Sequence, residues 1–172
     1  GDDTGSDIAT AVGEQVVLYR IGAPGKHLAM NSLAVLAAAH MLGTDVSRAM
    51  APLAGFHAMK GRGARHTVHI EDGSFTLIDE SYNASPASIR AALEVLGTAE
   101  RGQGGQGGRT IAVLGDMLEI GETAPEVHAA LAADVARNGV EIVVTAGSNM
   151  HYLAKALPKN ITAFHCADSA AI

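Results

Sequence analysis

Residues 110–145 read TIAVLGDMLEIGETAPEVHAALAADVARNGVEIVVT. Thr110–Leu114 is a short apolar run of the kind buried in a parallel sheet. Pro125–Arg137 carries its apolar residues at helical spacing, and Val140–Thr145 is again a strand-like run. Strand, helix and strand at this spacing form a right-handed βαβ unit on a mostly parallel sheet. The fold class that follows is α/β, with a Rossmann-like layer arrangement.

The same rhythm continues downstream. Asn149–Leu157 predicts a helix and Ile161–Cys166 a strand, and Asp168–Ile172 reads as the start of another helix. Upstream, the Gly/Gln run Gly102–Gly108 predicts a flexible loop. Pro86–Leu96 reads as a helix capped by Ser85, with proline at its first position. Ala64–Ile70 and Phe75–Glu80 read as two strands joined by an Asp72-Gly73 turn. Before them, Gly55–Gly63 is glycine-rich and basic, and sets the expected boundary between residues 1–60 and 61–172.

The region before that break is thinner. Gly1–Gly13 is polar and turn-rich, and Gln15–Ile21 reads as a strand with no partner nearby. Lys26–Leu42 predicts a helix stopped by Gly43, and Thr44 or Asp45 caps a second helix, Val46–Leu53. One strand and two helices are too little for an independent core. Together with an end that falls inside an element, this predicts a fragment of a longer protein.

Composition excludes several function classes. The chain has 172 residues, 18 acidic against 12 basic side chains, and a net charge of −6. No basic stripe exists to displace counterions from a nucleic acid, and with no tryptophan and 3% aromatics there is no base-stacking platform. Mean hydropathy is +0.18, yet the most apolar stretch, Leu28–Leu42, is interrupted by Asn31, Ser32 and His40 and is too short to span a bilayer. Cys166 stands alone, so no internal disulfide forms, which suits a reducing cytoplasm; it reads as a small buried hydrophobe at a strand end.

Two glycine-rich segments fail as phosphate loops. In Gly22-Ala-Pro-Gly-Lys26 the first glycine of G-x-x-x-x-G-K-[ST] is replaced by Arg20, and His27 stands where a hydroxyl is needed. The Gly102–Gly108 run has no lysine and joins a helix to a strand, the reverse of a phosphate-binding order. No G-x-G-x-x-G opens a helix after a strand, so a dinucleotide-dependent dehydrogenase is disfavoured.

Four other motifs carry chemistry. His27 and Asn31 lie four apart in the first turns of a helix, on one face, where Asn can pair with the adenine edge; both also serve simply as helix-start residues. Leu77-Ile-Asp79-Glu-Ser-Tyr82-Asn83-Ala-Ser-Pro86 is a buried strand delivering an acidic pair at its carboxyl end, followed by a polar turn. A carboxylate there accepts ribose hydroxyls, or the segment is only a capping turn with Tyr82 packing. Val113-Leu-Gly-Asp116-Met-Leu-Glu119-Ile-Gly121, with His128 in the next helix, offers carboxylates that position an amine or a metal-bound group. The alternative makes Asp116 a turn stabiliser, Glu119 a solvated charge and His128 a satisfied helix-face residue. Arg62, between Gly61 and Gly63, is free to swing onto a phosphate or to remain a solvated linker charge.

In this order the motifs resemble those of the Mur ligases: Gly25-x-His27-x-x-x-Asn31, Gly61-Arg62, Asp79-x-Ser-Tyr-Asn-Ala-x-Pro86, and Val113-Leu-Gly-Asp-Met-Leu-Glu-Ile-Gly121 with His128. The resemblance runs over essentially the whole chain and is narrowest to the branch that adds D-Ala-D-Ala to UDP-MurNAc-tripeptide. Glu80 departs from the family's usual second Asp but keeps the charge. The resemblance implies that residues 1–60 are the tail of the central ATP-binding domain and 61–172 the C-terminal domain. It implies an ATP- and Mg2+-dependent amide ligation in peptidoglycan synthesis, in a cytoplasmic and monomeric parent enzyme.

On that mapping His27 and Asn31 contact adenine and Asp79 the ribose, Arg62 reaches the phosphates, and Tyr82 and Asn83 line the nucleotide side. Asp116 and His128 fall near the amine donor. The family's phosphate loop and magnesium ligands have no counterpart here, so no metal ligand is assigned and the chain alone is expected not to ligate. The rival reading is a non-catalytic α/β nucleotide-binding or interaction domain.

Overall fold

A computed structural model describes residues 5–99 and 107–171, and the chain divides into two compact units, one ending at Glu80 and one beginning at Ser81. Residues 102–106 of the glycine-rich run lie outside the described residues.

The first unit opens with β1 (Ser6–Val12) and β2 (Gln15–Ile21), an antiparallel pair in register from Ser6↔Ile21 to Val12↔Gln15. The turn-rich lead and partnerless strand expected from the sequence are therefore corrected. Ile8, Thr10 and Val12 alternate with Asp7, Ala9 and Ala11, a period of two that the polar residues disguise. Gly13, at φ 60, makes the turn.

Helix α1 (Lys26–Met41) packs on one face of this hairpin, followed by α2 (Val46–Met50). Val12, Val17, Leu36 and Val46 form their shared core. The Tyr19 hydroxyl lies 2.7 Å from that of Ser32, which itself donates to the Ala29 carbonyl, so a buried serine is satisfied on both sides. The second helix is shorter than expected. Pro52 has no N–H to continue the α ladder, and Ala51–Gly55 tightens into a 3-10 turn. The unit ends in a second antiparallel hairpin, β3 (Ala64–Ile70) and β4 (Gly73–Asp79), closed by Ile70↔Gly73.

The second unit starts with α3 (Pro86–Thr98). Ser85 accepts from the Ser88 amide while Ser88 reaches back to the Ser85 amide, a reciprocal cap with proline in the first turn. Then come β5 (Ile111–Gly115), α4 (Ala124–Arg137), β6 (Ile142–Ala146), α5 (Met150–Ala156) and β7 (Thr162–Cys166). The three strands are parallel in the order β5-β6-β7, with Val113, Val144 and Phe164 in register. This is the α/β layer anticipated from the sequence.

The core lies on one side of the sheet. Ala112 and Val143 face Leu93, Met117, Leu131, Val135, Met150 and Leu153. Asp134, buried on α4, accepts from Arg90 Nε of α3 at 3.0 Å and from Arg137 at 2.6 Å, clamping the two helices. The run at 110–114 is not buried on both faces as expected: Ile111 and Val113 are exposed on the face away from this core. After β7 the chain makes a 3-10 turn at Ser169–Ala171 rather than starting an α-helix, and Cys166 is half-buried with its thiol near the Ala171 carbonyl.

Candidate functional site

The start of α1 is shaped by close approach. A Cβ at Gly22 would lie 2.6 Å from the Phe56 carbonyl oxygen, and Gly25 takes φ 117, which side chains avoid. The helix begins without a side-chain cap. His27 is half-buried in its first turn, and Asn31 is exposed one turn later on the same side. The structure thus keeps this predicted pair together.

A second cluster forms at the end of β4. Gly61 and Gly63 take φ 73 and 88 in a turn where the Arg62 amide donates to the Met59 carbonyl at 2.9 Å. Asp79 fixes this turn twice: its Oδ2 accepts from the Gly61 amide at 3.0 Å and its carbonyl from the Gly63 amide at 2.8 Å. Glu80 follows directly. Burial pushes its carboxyl above the ordinary value, the neighbouring Asp79 charge pushes the same way, and Arg62 opposes both. Arg62, Asp79 and Glu80 are therefore one electrostatic group.

Asp79 is held differently from what its sequence context predicts. Its strand belongs to an antiparallel ribbon and is exposed from Gly73 to Leu77, so Asp79 does not stand at the end of a buried parallel strand. What positions it is the glycine turn it holds.

Tyr82 and Asn83 lie at the start of the second unit. Tyr82 is 69% exposed and does not pack as a core aromatic. Asn83 is exposed, and its Oδ1 accepts from the Ala84 amide just ahead of the α3 cap.

Asp116 and His128 meet around the loop that leaves β5, at the carboxyl edge of the parallel sheet. Asp116 Oδ1 accepts from the amides of Asn149 at 3.0 Å and Met150 at 2.8 Å, tying the end of β5 to the start of α5. A Cβ at residue 147 would lie 2.5 Å from this carboxylate, which explains Gly147. His128 is fully buried: its Nε2 accepts from the Met117 amide at 3.0 Å, so its proton sits on Nδ1, which donates to the Ala124 carbonyl at 2.7 Å. Both side chains are engaged by groups of their own unit: His128 holds the loop from inside the core, and the half-buried Asp116 also accepts from the Ser148 hydroxyl at 3.3 Å.

Two features had no clear sequence signal. Glu119 adopts φ 63, the one non-glycine residue in the left-handed region among the described residues. The raised pKa of Glu80 depends on burial and on the neighbouring Asp79 charge, and is opposed by Arg62, which lies eighteen residues earlier in the chain. Among the described residues no three His, Cys, Asp or Glu side chains come together to hold a metal ion.

A parallel sheet covered on one face by helices, with an anchored loop at its carboxyl edge, defines the second unit as an α/β layer domain. The chain belongs to the Mur ligase family: residues 61–172 match the family model of the Mur ligase, glutamate ligase domain. It is 31% identical over 136 residues to the UDP-N-acetylmuramoyl-tripeptide–D-alanyl-D-alanine ligase of Bacillus subtilis, covering 79% of this chain and 28% of that protein. The ligase of the same name from Mycobacterium tuberculosis is 33% identical over 132 residues, covering 75% of this chain and 25% of that protein. The chain thus spans little more than a quarter of the length of these relatives.

Solved structures share the fold. A MurF structure from Acinetobacter baumannii superposes with a TM-score of 0.77 at 24% identity, covering 95% of this chain and 34% of that one. A Thermotoga maritima MurF ligase in complex with ADP gives 0.67 at 19% identity, covering 98% of this chain and 41% of that one.

Proposed function

We propose that this chain is part of an ATP-dependent amide ligase that joins D-Ala-D-Ala to UDP-MurNAc-tripeptide in peptidoglycan precursor synthesis. The observation that carries this reading is the likeness to ligases named for that reaction, 31% identical over 79% of the chain. In the reaction, the terminal carboxylate of the tripeptide attacks the γ-phosphorus of ATP, releasing ADP and forming an acyl phosphate. The amine of D-Ala-D-Ala then adds to the acyl carbon, loses a proton, and the tetrahedral species expels inorganic phosphate to leave the amide. The parent acts in the cytoplasm as a monomer, with residues 1–60 ending its ATP-binding domain and 61–172 forming its C-terminal domain.

Each side chain then has a physical task. Asn31 pairs with the adenine edge, with His27 beside it on α1. Asp79 accepts a ribose hydroxyl while holding the turn that presents Arg62 to the phosphates, where a guanidinium binds bidentately. Tyr82 and Asn83, both exposed, line the nucleotide side. Asp116 and His128 act as positioning residues rather than by touching substrate: His128 is bound to backbone on both nitrogens, and Asp116 is engaged by the Asn149 and Met150 amides and the Ser148 hydroxyl. Magnesium supplies charge neutralisation on the phosphoryl group in such reactions. The described residues do not assemble a site for it, and its ligands are assigned to other parts of the parent protein.

The test is steady-state kinetics on the full-length parent. Asn31→Ala and Asp79→Ala should each raise the KM for ATP about tenfold or more, the loss of one good polar contact of ~1–3 kcal/mol, with unchanged thermal midpoints for Asn31→Ala. ATP binding unaffected by both substitutions would reject the assignment. The isolated chain should release no phosphate when given ATP, UDP-MurNAc-tripeptide and D-Ala-D-Ala together.

A further inference from the structure

Glu119 carries a backbone strain that packing does not explain. It holds φ 63 although glycine would hold that conformation without a Cβ clash. Its side chain is exposed and forms no hydrogen bond or ion pair among the described residues. Leu118 beside it is 75% exposed, an apolar side chain held out of the core.

The loop has no freedom to relax this strain. Immediately before it, Asp116 is bound to the Asn149 and Met150 amides, and Met117 is buried with its amide on His128. Immediately after it, Gly121 takes φ 75. Backbone strain in a surrounding that over-determines it is characteristic of ligand-contacting positions. The place agrees, because the loop leaves the carboxyl end of β5, the edge at which open α/β sheets bind ligands.

We propose that Glu119 is the carboxylate that binds the ammonium group of the incoming amine substrate, with Leu118 as an apolar wall for its small side chains. The inference rests on the ligase reading above, which supplies an amine as second substrate. An ammonium suits the site, since one carboxylate gives it a charge-assisted hydrogen bond, whereas a metal ion needs further ligands that the described residues do not bring there. The role is binding and orientation, and no proton transfer is assigned to Glu119.

Glu119→Gln and Glu119→Gly in the full-length parent test this. Both should raise the KM for D-Ala-D-Ala tenfold or more while the KM for ATP stays within twofold. Glu119→Gly should also keep or raise the thermal midpoint, because it removes the strain, so a loss of dipeptide use cannot be ascribed to misfolding. Unchanged KM for the dipeptide in a ligating wild type with either variant would overturn the assignment of Glu119 alone. A parent that hydrolyses no ATP in the presence of both substrates would instead overturn the ligase reading, and this inference with it. A dipeptide KM that responds to added Mg2+ concentration in wild type but not in Glu119→Gln would overturn it in favour of a metal-binding role.

Discussion

His128 shows how a titratable side chain in a motif becomes structural. Its two nitrogens join the Met117 amide to the Ala124 carbonyl inside the core, so its job is to fix the loop that follows β5. Replacing it by leucine leaves a buried N–H without an acceptor, an expected loss of about 1–3 kcal/mol in urea unfolding. Glutamine, whose amide oxygen reaches the position of Nε2, should recover much of that loss. Equal destabilisation by both would reject the role. Glu80 gives a pH prediction. Its carboxyl binds its proton more tightly in the folded chain than at the ordinary value of 4.5. Between that value and the raised one the folded state holds more proton, so stability falls as pH rises through this window. Glu80→Gln should flatten the fall, with thermal midpoints compared at pH 4 and pH 7; a parallel fall in the variant would count against it. The side chains were legible, yet their surroundings were not. The Asp116 and His128 spacing fits a ligand site and a buried anchor equally well, and only the positions of Met117 and of the α5 amides distinguish them.

Among the elements, α3 was the most fully legible, because its start is coded locally. Ser85, Pro86 and Ser88 are close neighbours in sequence, and their caps form without help from the rest of the chain. Ser85→Ala should therefore destabilise the chain by about 1 kcal/mol in chemical denaturation, and Ser85→Asp should restore it. The parallel unit β5-α4-β6 was legible through its change of period from strand to helix and back. The partner of β2 was not, because Ser6–Val12 mixes Asp7 and Thr10 into its alternation, and strand pairing is decided by a surface found only in three dimensions. The same applies to β4. A local apolar pair, Leu77-Ile78, looks like a buried strand, whereas its hairpin leaves Leu77 46% exposed. The end of α2 has a local cause: Pro52 cannot donate to the α ladder, and the chain tightens into a 3-10 turn at once.

At the scale of the whole molecule, each unit presents an apolar strand face that its own helices leave open. Val16 and Leu18 are 77% and 75% exposed on β2, and Val113 and Phe164 are 60% and 56% exposed on β5 and β7. Both faces fit a chain that spans about a quarter of its relatives' length. The amino-acid sequence by itself determined the α/β class and the motif order that resembles the Mur ligases, because period and motif spacing are local properties. Tertiary structure alone decided that Asp79 serves a glycine turn, that Asp116 ties β5 to α5 and His128 faces inward, and that Glu119 is the strained residue left facing solvent. Those facts depend on which backbone amides arrive beside a side chain from tens of residues away, and that is settled only when the core closes.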